Sequence, residues 1–193
     1  MDKSHGYEDI AAIFIKGRGQ AVNGVGASSV RNWAKTLPRH SIVLDIGCGT
    51  GIPVSKILIR EGFTVYGLDA SPSMVEAFKQ NFPGNRVACE AAEDSSFFDL
   101  KFDAVISWGL LFLLPQDAQG IVIRKAAGAL KRGGKFLFTS PPKPVHWDDA
   151  MTGQPSMSLG AEKYRELLEA SGLSLIEEFE DEGENHYYHS VKT

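Results

Sequence analysis

The stretch VLDIGCGTG, Val43 to Gly51, decides the fold. A short apolar run ends at Asp45, and glycines follow at 47, 49 and 51. Glycine lowers the stability of ordered structure unless the backbone must turn left-handed or approach something closely. Three of them at the end of an apolar run read as a tight strand-to-helix turn with a ligand against its backbone. An acid, Asp69, ends the next apolar run, 20 residues beyond Gly49. An acid there suits the two hydroxyls of a ribose, so the ligand contains a nucleoside. A turn with a merely capping aspartate is the plainer alternative.

Working outward, apolar runs alternate with helical periodicity. Residues 7–16 predict a helix with Ile10, Ile13 and Phe14 inward, and Val30, Trp33, Ala34 and Leu37 mark another. Strands are expected at Ser41–Asp45, Thr64–Leu68, Arg86–Glu90, Phe102–Trp108 and Lys135–Thr139. Helices are expected at Pro53–Glu61, from Ser71-Pro72 onward as cap and first-turn proline, and at Ala118–Lys131, closed by Gly133-Gly134. A long loop covers Ser140 to Ser158. A further helix carries Tyr164, Leu167 and Leu168 inward. Two last strands, about 173–181 and 186–192, flank a turn. Strand–helix alternation implies a doubly wound α/β domain: a mostly parallel sheet with helices on both faces. Its ligands gather at the carboxyl ends of the strands.

Composition narrows the class. The 193 residues fit one domain, with 43% hydrophobic and 23% charged residues. The net charge of −4 and the lack of any Lys/Arg run argue against nucleic acid as a partner. Cys48 and Cys89 are too few for a disulfide framework, which suits the cytoplasm. No apolar run approaches the roughly 20 residues of a membrane span, so no membrane association is expected. A dinucleotide fingerprint needs glycine at position 52, where the chain has Ile52. Asp45 beside the loop is also a poor neighbour for a pyrophosphate and a good one for an ammonium.

In order, VLDIGCGTG, VYGLDASPSMV, FDAVIS and LKRGGKFLF resemble the successive motifs of the class I, Rossmann-like S-adenosylmethionine-dependent methyltransferases. The resemblance covers roughly residues 40–140 and continues into the terminal strand pair. It implies a seven-stranded sheet of order 3-2-1-4-5-7-6 with an antiparallel last strand, and S-adenosyl-L-methionine as cofactor. It further implies that Asp45 orients the methionine ammonium and that Gly47, Cys48 and Gly49 line the methionine and ribose. Asp69 and Ala70 then meet the ribose, Met74 the adenine, and Ser107 lies under the methionine. The family often has an aspartate where this chain has Ala91, so Ala92 and Glu93 are expected to meet the adenine instead.

The remaining loops on that edge are the expected acceptor walls. Residues 1–26 are read as a lid, with Tyr7 facing the acceptor and Arg18 meeting the methionine carboxylate. Residues 141–158 are read as a substrate loop carrying His146 and Trp147. The run WGLLFLLP, residues 108–115, is a further expected wall, and Trp108 and Asn185 complete the substrate set. His146 is the expected general base and His186 its competitor, although proximity alone suffices for a good nucleophile. The chain lacks the Asn/Asp-Pro-Pro-aromatic motif of amide and adenine N-methyltransferases. It also lacks the paired glutamates of arginine methyltransferases, and Asp148-Asp149 is too little for a metal site. The expected acceptor is therefore a small organic molecule, and the expected state a monomer or homodimer. A silent cofactor-binding regulatory domain and a nicotinamide-dependent reductase stand as alternatives.

Overall fold

The computed structural model describes residues 3–21 and 23–193, without the side chain of Arg18. Its strands are β1 (Ile42–Ile46), β2 (Thr64–Asp69), β3 (Arg86–Cys89), β4 (Phe102–Ser107), β5 (Leu130–Thr139), β6 (Val145–Asp148), β7 (Pro155–Ser158), β8 (Leu173–Glu180) and β9 (His186–Lys192). Its helices are α1 (Ala11–Lys16), α2 (Ala27–Ala34), α3 (Val54–Arg60), α4 (Pro72–Asn81), α5 (Gln116–Ala129) and α6 (Ala161–Ala170). Seven strands form one sheet in the order β3-β2-β1-β4-β5-β9-β8, and β6 and β7 form a separate hairpin. Counted within the large sheet, that is the expected 3-2-1-4-5-7-6. Pairing is parallel from β3 to β5, and β9 runs antiparallel to both its neighbours.

Alternation along the central strands supplies two cores. Val43, Ala104, Ile106, Leu137 and Tyr187 pack with α2 and α3 residues on one face. Leu44, Val105, Phe136, Phe138 and Tyr188 pack with α5 and α6 residues on the other. Strands covered on both faces read as near-continuous apolar runs, as these do. Helix α4 begins as its sequence signals: Ser71 accepts a hydrogen bond from the Met74 N–H, and Pro72 occupies the first turn.

Four expectations are corrected. The first helix starts only at Ala11, residues 5–10 forming turns, and Ile13, expected inward, stands out at 72% exposure. Helix α5 ends at Ala129, because Leu130 is already extended. Residues 131–134 bulge between the Phe102–Leu130 and Ala104–Lys135 pairs, where Lys131 meets Asp103 at 2.8 Å. The segment read as a long loop contains the β6–β7 hairpin, too short and proline-flanked to show periodicity. Among the described residues no helix is long and apolar enough to cross a membrane.

Candidate active site

The strand order reverses between β1 and β4, which are neighbours although β1 leads into β2. The cavity lies at the carboxyl ends of those strands. The β1–α3 loop is pinned there by the Gly47 and Cys48 N–H groups, which both donate to the Leu68 carbonyl at 2.7 and 3.0 Å. Its glycines have different duties. Gly47 has φ +75°, and a Cβ would lie 2.9 Å from the Leu110 Cβ. Gly49 has φ +52°, and its nearest neighbour is the Phe14 ring at 4.0 Å. Gly47 is thus required by packing as well as by conformation, whereas Gly49 leaves room for a ligand.

Asp69 closes β2 against this loop. Its two oxygens accept from the Gly49 N–H at 2.8 Å and the Ser71 N–H at 2.9 Å. An ionised carboxylate offers about four acceptor positions, so about two stay open. Burial pushes its pKa up against the pull of the Ser71, Gly49 and Ala70 N–H groups, and the charge of Glu8 adds to the rise. Asp45 is 1% exposed and accepts from the Ser55 hydroxyl at 2.6 Å. Burial pushes its pKa up to about 7 against that bond, helped by the charge of Asp69. No ion pair reaches Asp45 among the described residues. A buried acid without a cation suits a ligand that carries one. Cys48 is also buried, which pushes its thiol well up and leaves it a small uncharged wall.

A strap formed by the N-terminal residues crosses the cavity. Lys3 bridges Glu93 at 2.7 Å. Glu8 reaches the start of α4, where it accepts from the Ser71 hydroxyl, the Ser73 N–H at 3.0 Å and the Ser73 hydroxyl at 2.7 Å. A carboxylate there also meets the positive end of the helix dipole. Tyr7 packs edge-on to Phe14 with ring centroids 5.8 Å apart, and Thr50 donates to the Gly19 carbonyl at 2.9 Å. At the opposite side, the Trp108 Nε1–H donates to the Tyr187 hydroxyl at 2.8 Å, which donates to Asp181 at 2.8 Å. Asp181 also receives both the backbone and side-chain N–H groups of Asn185. Burial would raise its pKa, but the bonds from Asn185, Tyr187 and Gly183 outweigh that and hold it low.

Of the residues singled out from sequence, Asp45, Gly47, Cys48, Gly49, Asp69, Ala70, Met74, Ala92, Glu93, Tyr7, Trp108 and Asn185 line this one cavity. Glu93 has its carboxylate engaged by Lys3 and its carbonyl by Lys125 at 2.8 Å. Ser107 is fully buried beneath the site, its hydroxyl without a partner among the described residues. The Arg18 side chain lies outside what the structure describes. Trp147 does not line the cavity, but backs it by packing on Phe112, which does, at 5.5 Å.

The two expected bases are not brought to the cavity. His146 neighbours Trp147 on β6, so alternation turns it to the opposite, exposed face. His186 faces β8, with Nε2 2.9 Å from Glu178 and Nδ1 3.3 Å from Glu180. Both its nitrogens are occupied by carboxylates. Sequence reasoning did not single out Lys3, His5, Phe14 or Asp149, which also line the cavity. Phe112 belongs to the apolar run 108–115 expected as a wall, and it lines the cavity too. The others depend on contacts between distant segments.

The arrangement can hold a ribose diol at Asp69, an ammonium at Asp45 and a flat group near Met74, leaving the far end for a second molecule. A methyltransferase-domain family model matches residues 43–134. The chain is 28% identical over 155 residues to methyltransferase GfsG of Streptomyces halstedii, covering 70% of this chain and 53% of that protein. It is 32% identical over 114 residues to an 18S rRNA (guanine-N(7))-methyltransferase of Schizosaccharomyces pombe, covering 53% and 42% of the two chains. The chain spans about half the length of the curated relatives it matches. A TehB-like SAM-dependent methyltransferase from Corynebacterium glutamicum superposes with a TM-score of 0.74 at 22% identity, over 97% of this chain and 98% of that one. At that identity the likeness speaks for the fold.

Proposed function

Because the chain belongs to the class I S-adenosylmethionine-dependent methyltransferase family, we propose that it transfers a methyl group to a small organic molecule. The observation that carries this reading is a single cavity that joins two kinds of wall. One wall has Asp45 and Asp69, acceptors for the ammonium and ribose hydroxyls of the cofactor, beside the open backbone of Gly49. The other has Tyr7, Trp108, Phe112 and Asn185, an apolar and aromatic surface with a polar group at its edge.

When bound, S-adenosylmethionine supplies a methyl group already activated on a sulfonium. The protein's part is then to hold, orient and dry. Asp69 holds the ribose hydroxyls through its open acceptor positions. Asp45, ionised by the arriving ammonium, fixes the amino-acid end. The strap of residues 3–21 serves as a lid, anchored by Glu8 on α4 and Lys3 on Glu93, and excludes water. Trp108 and Phe112 present flat faces to the acceptor.

The net charge of −4 and the aromatic walls favour a small acceptor over RNA, whose phosphates call for Lys and Arg. The test is incubation with methyl-labelled S-adenosylmethionine and, in parallel, a fractionated metabolite extract and total RNA. Label in a small-molecule fraction supports the reading. Label in RNA alone, or cofactor binding with no transfer to either, would overturn it.

A further inference from the structure

The chain has five histidines, at 5, 40, 146, 186 and 189. Among the described residues His5 is the one that lines the cavity. It sits in the strap at φ +56°, followed by Gly6 at φ +80°. A non-glycine residue at positive φ is uncommon and persists where its surroundings enforce it. Here the turn is held on both sides. The Tyr7 N–H donates to the Ser4 carbonyl at 3.1 Å, and the Glu8 N–H donates to the Ser4 hydroxyl at 3.0 Å. Glu8 in turn is fastened to Ser71 and Ser73. The ring is therefore positioned by a braced loop.

Its Nε2 is buried and has no hydrogen-bond partner among the described residues. Such atoms are rare in native proteins and call for a specific explanation, such as a partner that arrives from outside. A second feature places that partner at the acceptor end. Gly6 lies against Thr152, where a Cβ would be 3.2 Å from the Thr152 Cβ. Thr152 belongs to the β6–β7 turn, held by Asp149, whose Oδ1 accepts from the Met151 N–H, the Thr152 N–H and the Thr152 hydroxyl. Asp149 is buried and lines the same cavity as Phe112, against which Trp147 of the same hairpin packs. His5 thus stands where the strap and hairpin meet over the acceptor wall.

From this, and resting on the methyltransferase reading above, we infer that His5 is the catalytic general base and that the acceptor is a hydroxyl compound. An amine attacks through its own lone pair and sheds a proton afterwards. A hydroxyl is a weak nucleophile until a base withdraws its proton during attack. With the ring proton on Nδ1, the Nε2 lone pair takes the O–H proton as the acceptor oxygen bonds to the methyl carbon. The carbon–sulfur bond breaks with its electron pair remaining on sulfur. The products are the methyl ether, S-adenosylhomocysteine and an imidazolium, so the positive charge passes from sulfonium to ring. The imidazolium returns its proton to water when the strap opens. The charged groups sharing the cavity with it are Lys3, Asp45, Asp69, Glu90, Glu93 and Asp149.

The test uses the full chain with methyl-labelled S-adenosylmethionine and panels of phenols, aliphatic alcohols, primary amines and thiols. His5→Ala and His5→Gln are compared with wild type, and His146→Ala, on the exposed hairpin face, serves as control. Expected are methylation of a hydroxyl panel and a fall in kcat of about 100-fold in both His5 variants. Binding of S-adenosylhomocysteine by calorimetry should stay within about twofold of wild type, as expected for a group that meets the acceptor rather than the cofactor. The His5 imidazole nitrogen resonance, assigned by its loss in His5→Gln, should shift when the hydroxyl acceptor joins the S-adenosylhomocysteine complex. Near-wild-type turnover in either folded variant, or transfer confined to amines or thiols, would overturn the assignment while leaving the methyltransferase reading in place. Wild-type protein that binds S-adenosylhomocysteine yet labels no panel would overturn the small-molecule reading and this proposal together.

Discussion

The cavity has a floor and a roof built on different terms. The floor is made of strand ends and the β1–α3 loop, tied together by hydrogen bonds such as Gly49 to Asp69, 20 residues apart. It cannot move without disturbing a sheet covered on both faces. The roof is the strap and the β6–β7 hairpin, whose fastenings run between remote segments, as from Glu8 to Ser73, 65 residues apart. One of those fastenings, Lys3 to Glu93, is a partly exposed ion pair of the kind that water and salt weaken. The floor is fixed by the sheet itself. The roof rests on a few side-chain fastenings and is the more readily separated part.

The largest expected effect comes from removing the roof. Deleting residues 1–20 takes away Lys3, His5, Tyr7 and Glu8 and should lower turnover by roughly 100-fold or more, the usual range for loss of a proton-transfer group alone. Circular dichroism and binding of S-adenosylhomocysteine should show the sheet retained. Full turnover in the truncated protein would erase the distinction between roof and floor.

Next comes the floor itself. Asp69→Ala would remove the bonds proposed to the ribose, and the loss of even one charge-assisted bond, about 1.5–3 kcal/mol, should lower affinity for S-adenosylmethionine at least tenfold. Calorimetry on the folded variant decides it, and unchanged affinity would remove Asp69 from the site.

Asp45 sharpens the comparison, because it sets stability against function inside the floor. Its folded pKa of about 7 exceeds its ordinary 3.8, so the folded state binds its proton more tightly than the unfolded state does. The cofactor-free protein should lose stability as pH rises from about 4 through about 7, by roughly 1.4 kcal/mol per pKa unit. Asp45→Asn, which keeps an acceptor for Ser55, should therefore raise the melting temperature of the cofactor-free protein at pH 8 and weaken cofactor binding. A lowered melting temperature would refute the sign. Binding at pH 7 should release about half a proton from Asp45, measurable by calorimetry in two buffers of different ionisation enthalpy.

The smallest effect belongs to the hairpin. Trp147→Ala removes packing behind Phe112 without touching the cavity wall directly. It should raise the acceptor KM by about three- to tenfold, the cost of a partly lost aromatic contact, with cofactor affinity unchanged. An altered cofactor affinity would mean that roof and floor are mechanically coupled.

The floor was legible in the sequence because its chemistry is local. Asp45, Gly47 and Gly49 lie within five residues, Asp69 ends the next strand, and Ser71-Pro72 announces the helix behind it. The roof was not legible, for a physical reason in each case. Glu8 reads as an ordinary polar helix residue until Ser71 and Ser73 are brought to it by the fold. Four-residue strands leave no periodicity, so the hairpin passed for a loop and the orientation of His146 was unreadable. On β9 the strand itself was expected, but successive residues face opposite sides, and which side Asn185 takes decides that His186 points to Glu178 instead. His5 carries no motif at all.

Strand β9 has one further consequence, for the order in which the molecule assembles. It lies between β5 and β8, so β8 has no neighbour in the sheet until β9 has been inserted. The β1–β2 pair, with the glycine loop and both acids, joins strands 22 residues apart, whereas the β1–β4 and β5–β9 pairings close loops of some 60 and 50 residues. Closing long loops late is the general expectation when chain entropy opposes distant contacts. Tyr187, which holds Trp108 in place, arrives on that same strand, and so does the register that sets Asn185. A chain still on its way to the native state would thus have its glycine loop and both acids in place before Trp108 and Asn185 reach them, and the cavity would be whole only once the topology is complete.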